Sequence, residues 1–113
     1  MAYDQYLAER VERALDRLNA KFEPKLMFGG VCYMVDDKMC VGVVKNELMA
    51  RLDPDATPEA LKQQGCRLMD FTGKSMKGFV FVSPEGTDRE ELLENWLRLA
   101  LEFNPRAKQS KKK

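Results

Sequence analysis

Residues 31–52 read VCYMVDDKMCVGVVKNELMARL: three short apolar segments, Val31–Val35, Met39–Val44 and Leu48–Leu52, set apart by Asp36-Asp37 and Lys45-Asn46. Runs of this length bounded by turn formers read as strands, and two residues are the length of a tight hairpin turn. Neither separator holds the usual glycine, but Asp and Asn enter the left-handed conformation with less strain than most residues. The segment is therefore expected to form a three-stranded antiparallel meander. In that register 34 opposes 39, 32 opposes 41, 43 opposes 48 and 41 opposes 50, and opposed residues share a face. One face then collects Cys32, Met34, Met39, Val41, Val43, Leu48, Ala50 and Leu52, and it is expected to be the core. The other carries Val31, Tyr33, Val35, Lys38, Cys40, Val44, Glu47, Met49 and Arg51. Cys32 and Cys40 fall on opposite sides, so no disulfide is expected between them.

Outside the meander the pattern is helical at both ends. Leu7, Val11, Ala14, Leu15, Leu18 and Phe22 recur at three- and four-residue steps, predicting a helix over 4–22 that Pro24 stops. After the meander, Thr57, Pro58 and Gly65 predict a short helix over 58–64. Cys66–Phe71 and Lys77–Val82 read as two more strands joined by the polar loop TGKSM. A capping box, Thr87-Asp88-Arg89-Glu90, opens a last helix that Pro105 closes. The order is α-βββ-α-ββ-α, an antiparallel α+β domain over residues 1–105. The apolar arc of the last helix, Leu92, Leu93, Trp96, Leu97, Leu99, Ala100, Leu101 and Phe103, is wide for one-sided packing. Either a homodimer or a deep groove within the domain accounts for that surplus.

Composition narrows the functions open to the chain. With 113 residues, 44% apolar and 33% charged, it suits one globular domain with one core. No apolar run is long enough to span a bilayer, and the N-terminus has no signal-peptide pattern, so a cytoplasmic protein is expected. Five of the 19 basic side chains lie in residues 106–113, leaving 14 against 18 acids and a net charge of −4 on the rest. Such a body repels phosphate. Residues 106–113 read as a disordered basic tail, and Lys108, Lys111, Lys112 and Lys113 are the one candidate contact to nucleic acid.

Histidine is absent, which removes the commonest general base, excludes a serine triad and takes away the commonest zinc ligand. Cys32, Cys40 and Cys66 form no CxxC pair and read as core filler. Neither a metal nor a cofactor is expected. The pair Gly29-Gly30 opens a strand and precedes no Gly-Lys-Ser/Thr, so it reads as a structural joint between the first helix and first strand, with Phe28 tucked beneath the sheet. The odd polar group is Arg51, on the face with Tyr33 and Cys40. It is expected either to pair with Asp70 or Asp53, or to bind an anion with Lys74 and Lys77, which flank Met76.

These motifs together resemble the N-terminal domain of the TfoX/Sxy family, bacterial competence regulators, over about residues 7–103. The resemblance rests on MFGG (Met27, Phe28, Gly29, Gly30), YMVDDKMCVGVV, ELMARLD, MDFTGKSMKGFVFV with its Gly78, and WLRLAL with its Trp96. It implies an α+β domain similar to the secretion-chaperone-like fold, and a non-enzymatic regulatory or protein-interaction role. Asp37 stands where the family often has a turn glycine. The regulators also carry a helical C-terminal domain not found in this sequence. No catalytic residue carries over.

Overall fold

The structure is a computed structural model that describes residues 3–27, 29–71 and 74–106; for Met27, residues 69–71 and 74–77 it describes the backbone. In chain order come α1 (Gln5–Arg17), β1 (Glu23–Met27), β2 (Gly30–Val35), β3 (Lys38–Val44), β4 (Glu47–Arg51), α2 (Thr57–Ala60), β5 (Cys66–Phe71), β6 (Lys74–Val82) and α3 (Glu90–Phe103). Short 3-10 turns fill Pro54–Ala56, Pro84–Gly86 and Asn104–Arg106. The six strands form one antiparallel sheet in the order β1-β2-β3-β4-β6-β5. The α+β expectation holds, with one strand more than the sequence suggested.

That extra strand is β1, which takes up residues expected to be helix and linker. Helix α1 stops at Arg17, five residues early. Asn19 adopts φ 61°, Asn19 N–H donates to Asp16 O at 3.0 Å, and Ala20 N–H donates to Leu15 O at 2.9 Å. This is a Schellman ending with Asn in the left-handed position, so the helix closes itself before Pro24 is reached. Pro24 instead sits in an edge strand, where a missing N–H is tolerated. The glycine pair thus belongs to a hairpin between β1 and β2, with Gly29 in the turn and Gly30 opening β2 opposite Met27, rather than to a helix-to-strand joint. Phe28 lies outside the described residues.

The meander is present, with both turns where the separators placed them. Asp36 and Asp37 both take positive φ, 58° and 64°, as the mirror-image hairpin turn requires. In the second turn it is Lys45, φ 55°, that enters the left-handed region. Pairs 34↔39, 43↔48 and 41↔50 form as expected. The pair 32↔41 does not: Tyr33 opposes Val41, and Cys40 is an extra residue in β3. This bulge shifts the register of β2 by one residue, and a one-residue shift turns every following side chain to the other face.

The consequence is a corrected core. Val31, Tyr33, Cys40, Val41, Val43, Leu48, Ala50 and Leu52 face α1 and α3, joined by Val80 and Val82 of β6. Cys32, Met34 and Met39 lie in a second cluster with Met49, Phe79 and Phe81 on the reverse of the sheet. The two cysteines do occupy opposite sides and all three are free thiols, although Cys32 and Cys40 exchange the faces expected of them.

Helices α1 and α3 lie side by side over the first face. Leu93, Trp96, Leu97 and Ala100 are buried, and Leu92, Leu99, Leu101 and Phe103 are half-buried. The wide apolar arc is therefore largely absorbed within the domain. Trp96 donates from Nε1 to Gly86 O at 3.2 Å and so fixes the turn that precedes its own helix. The capping box does not form. Helix α3 starts at Glu90 with Arg89 as an uncapped N-cap, while the Glu90 carboxylate reaches across to Arg10 and Arg17 of α1. Two guanidiniums bind that carboxylate more strongly than one backbone N–H would.

The short helix is one turn, Thr57–Ala60, with Ala56 at its N-cap and no side-chain cap; Asp53 instead caps the preceding 3-10 turn, accepting from Asp55 N–H at 3.0 Å. Strand β6 begins at Lys74, so most of the expected loop is strand, and Thr72 and Gly73 lie outside the described residues.

Candidate functional site

Arg51 is the last residue of β4 and pairs in register with Phe79 of β6. Opposed residues share a face, and the Arg51 guanidinium carbon stands 5.2 Å from the Phe79 ring centre. A cation over an aromatic face is attracted by the ring quadrupole, more strongly where water is excluded. One strand further, Arg67 of β5 sits 4.9 Å from the Phe81 ring and is tied to Glu47 at 2.9 Å. The second sheet face thus carries a floor of Met49, Phe79 and Phe81 with an arginine over each ring. The alternation in Phe79-Val80-Phe81-Val82 was the sequence signal for this floor; its pairing with β4 was not readable from spacing alone.

The expected salt bridge from Arg51 to Asp53 is not made. Asp53 pairs with Arg106, Nη1 to Oδ2 at 2.8 Å, and its carboxyl lies below the usual range through the Asp55 N–H first and Arg106 second. Among the described residues no carboxylate is paired with Arg51; the Asp70 side chain is not described. Arg51 is half-buried, and its pKa is lowered chiefly by that burial.

Tyr33 does not belong to this site, contrary to expectation. The bulge at Cys40 places it on the helix side, fully buried, donating from its hydroxyl to Glu12 Oε2 at 2.9 Å. Burial first, and the Glu12 contact second, raise the phenol well above its ordinary range. Lys74 and Lys77 lie on β6 in the run that leads to Phe79, with Met76 between them; their side chains are outside the described set. Gly78, φ 84°, accepts a hydrogen bond from Leu52 N–H at 2.7 Å, so β6 and the end of β4 meet closely beside Arg51.

The remaining chemistry-bearing groups are held in structural roles. Burial pushes Cys32 up to about 11, Cys40 to about 12 and Cys66 to about 11, so each is a protonated thiol at neutral pH. Glu90 and Glu94 are bound by Arg10, Arg17 and Arg98 across and along the helix pair. A cleft of about 350 Å³ beside this seam is lined by Asp4, Tyr6, Arg10, Thr87 and Glu90 among others. Arg10, its one cation, is already engaged by Glu90 and Thr87. Among the described residues no three His, Cys, Asp or Glu side chains are placed to hold a metal, and no helix is long and apolar enough to cross a membrane. Lys108, Lys111, Lys112 and Lys113 lie outside the described residues. Arg106, grouped with the tail from sequence, is instead docked on Asp53 and over the Phe103 ring.

An antiparallel six-stranded sheet with two helices on one face, its first two strands joined at Gly29-Gly30, defines an α+β domain. The family model of the TfoX N-terminal domain matches residues 13–104, and the chain belongs to that family. No curated protein and no solved structure matches the chain.

Proposed function

We propose that this chain is a non-enzymatic regulatory domain of the bacterial cytoplasm that works through protein contacts. The observation that carries the reading is the state of its reactive groups. The thiols are protonated, with Cys32 and Cys40 buried and Cys66 half-buried, the Tyr33 phenol is enclosed between sheet and helices, and Glu90, Glu94 and Asp53 are occupied by arginines. Catalytic acids, bases and nucleophiles need pKa values tuned toward the working pH, and those of the thiols, Tyr33, Glu90 and Asp53 are shifted away from it.

The contact surface is the β1 edge. Leu26 is 76% exposed there, the most exposed large apolar residue among those described. Pro24 on the same strand lacks an N–H, which discourages extension of the sheet by another strand. Contact through the Leu26 side chain is the mode that remains, and a second copy of the chain is the first partner to test. Sedimentation velocity at micromolar concentration is expected to show a dimer that Leu26→Glu converts to monomer. A wild-type monomer at every concentration removes self-association. Turnover of a small-molecule substrate would overturn the non-enzymatic reading itself.

A further inference from the structure

The chain has eight arginines, Arg10, Arg13, Arg17, Arg51, Arg67, Arg89, Arg98 and Arg106. Seven of them stand within 4.0 Å of a carboxylate oxygen, and several of those seven are largely in water. The exception among the described residues is Arg51, which is half-buried. This inverts the usual energetics. An exposed guanidinium needs no partner because water solvates it, whereas a desolvated one is costly until paired. The Phe79 ring lies 5.2 Å from the guanidinium carbon, and among the described residues no oxygen or nitrogen acceptor takes any of the five N–H groups.

We propose that Arg51 is a binding site for a carboxylate, which completes the hydrogen bonds that the described residues leave open. The planar fork matches two carboxylate oxygens, and the attraction of the Phe79 ring for the cation restrains the side chain on this face. A carboxylate fits better than a phosphate dianion. Arg51 supplies one unit of charge, and the rest of residues 1–105 is net negative. The acid nearest in sequence, Asp53, is held away by Arg106 and the Asp55 N–H, so it does not close the site. The proposal is independent of the contact at Leu26, which lies on β1 at the far edge of the sheet from β6.

The test follows the Arg51 side-chain Nε–Hε resonance of the full wild-type chain by NMR. The probes are sodium acetate, the peptide acetyl-Gly-Glu-Gly-amide and inorganic phosphate, against sodium chloride at matched ionic strength. The expected result is a saturable shift of Arg51 with both carboxylates and an unmoved Arg67, whose fork is already on Glu47. Saturation at lower concentration by the peptide assigns the carboxylate to a protein side chain; equal or better saturation by acetate assigns it to a small molecule. Arg51→Lys, read at the Met49 and Phe79 amides, should weaken binding about tenfold because the charge stays but the fork is lost. A shift reproduced by chloride, tighter binding of phosphate, or the absence of any saturable shift overturns the proposal.

Discussion

Arg106 Nη1 donates to Asp53 Oδ2 at 2.8 Å, tying the end of the last helix to the loop that follows β4. The same Asp53 accepts from Asp55 N–H, so one carboxylate caps a 3-10 turn and anchors the chain's final described residue. Both contacts stabilise the ionised form, and the Asp53 pKa is depressed in the folded state. A depressed carboxyl contributes stability above its unfolded value, near about 3.9, and that contribution is lost as pH falls through the folded value. In Arg106→Ala the Asp53 pKa should rise yet stay below the usual range, because the Asp55 N–H is the larger cause. A carboxyl-detected NMR titration of both proteins measures it. An Arg106→Ala value equal to an unperturbed aspartate contradicts this assignment.

The seam between α1 and α3 is asymmetric. The Arg10 side chain is 12% exposed and donates to Thr87 O at 2.6 Å as well as to Glu90, whereas Arg17 is 45% exposed. Removing Arg10 leaves a buried carbonyl without its donor and should cost about 1–3 kcal/mol. Removing Arg17 should cost less than that, since exposed pairs are screened. Urea denaturation of Arg10→Ala and Arg17→Ala compares them, and the reverse order would contradict the burial argument.

The glycine pair divides into two different requirements. Gly29 adopts φ 76° with open space where a side chain would project. Gly30 has no room at all: an added Cβ would lie 2.1 Å from Val43 O, a backbone atom that cannot move without breaking the β2–β3 ladder. Gly29→Ala should therefore cost about 1–2 kcal/mol from left-handed strain. Gly30→Ala should cost clearly more, or prevent folding, as read by guanidinium melts of the two variants. Equal costs would mean that the hairpin relaxes around Gly30.

Burial of the three thiols predicts a weakness at alkaline pH. In the unfolded chain they ionise near about 8.5, whereas in the folded protein they hold their protons to about 11 or 12. Above the unfolded value the unfolded state binds fewer protons, so stability falls as pH rises from there toward the folded values. The melting temperature should drop between pH 8.5 and 10.5, a range of about two units around the free thiol value. Cys40→Ala and Cys32→Ala should flatten that drop. Rapid alkylation of Cys32 or Cys40 at neutral pH would contradict the burial that drives it.

Alternation over Val41–Leu52 identified the faces of β3 and β4 because nothing interrupts the period there. It misplaced β2 because the bulge falls at Cys40, between the apolar Met39 and Val41, and the one glycine of the run, Gly42, lies two residues past it and does not mark the extra residue. Strand β1 was unreadable for the opposite reason: Glu23-Pro24-Lys25-Leu26-Met27 has the composition of a linker and becomes a strand only by pairing with β2. Thr87 and Glu90 fit a capping box locally, but the tertiary pull of Arg10 and Arg17 decided where Glu90 points. Arg51 was legible as a charge at the end of an apolar strand. Its partner Phe79 was not, because β4 pairs with β6 over a separation that no local pattern encodes.

The contact reading is tested most directly by a photoreactive amino acid placed at position 26, with position 62 as control. Leu26 lies exposed on the β1 edge, and Lys62 is exposed on the turn after α2. Illumination in cells should give a discrete adduct from position 26 and none from position 62, with a mass of two chains if the partner is a second copy. No adduct at position 26, or the same adducts from both positions, would contradict a domain that works through protein contacts at this edge.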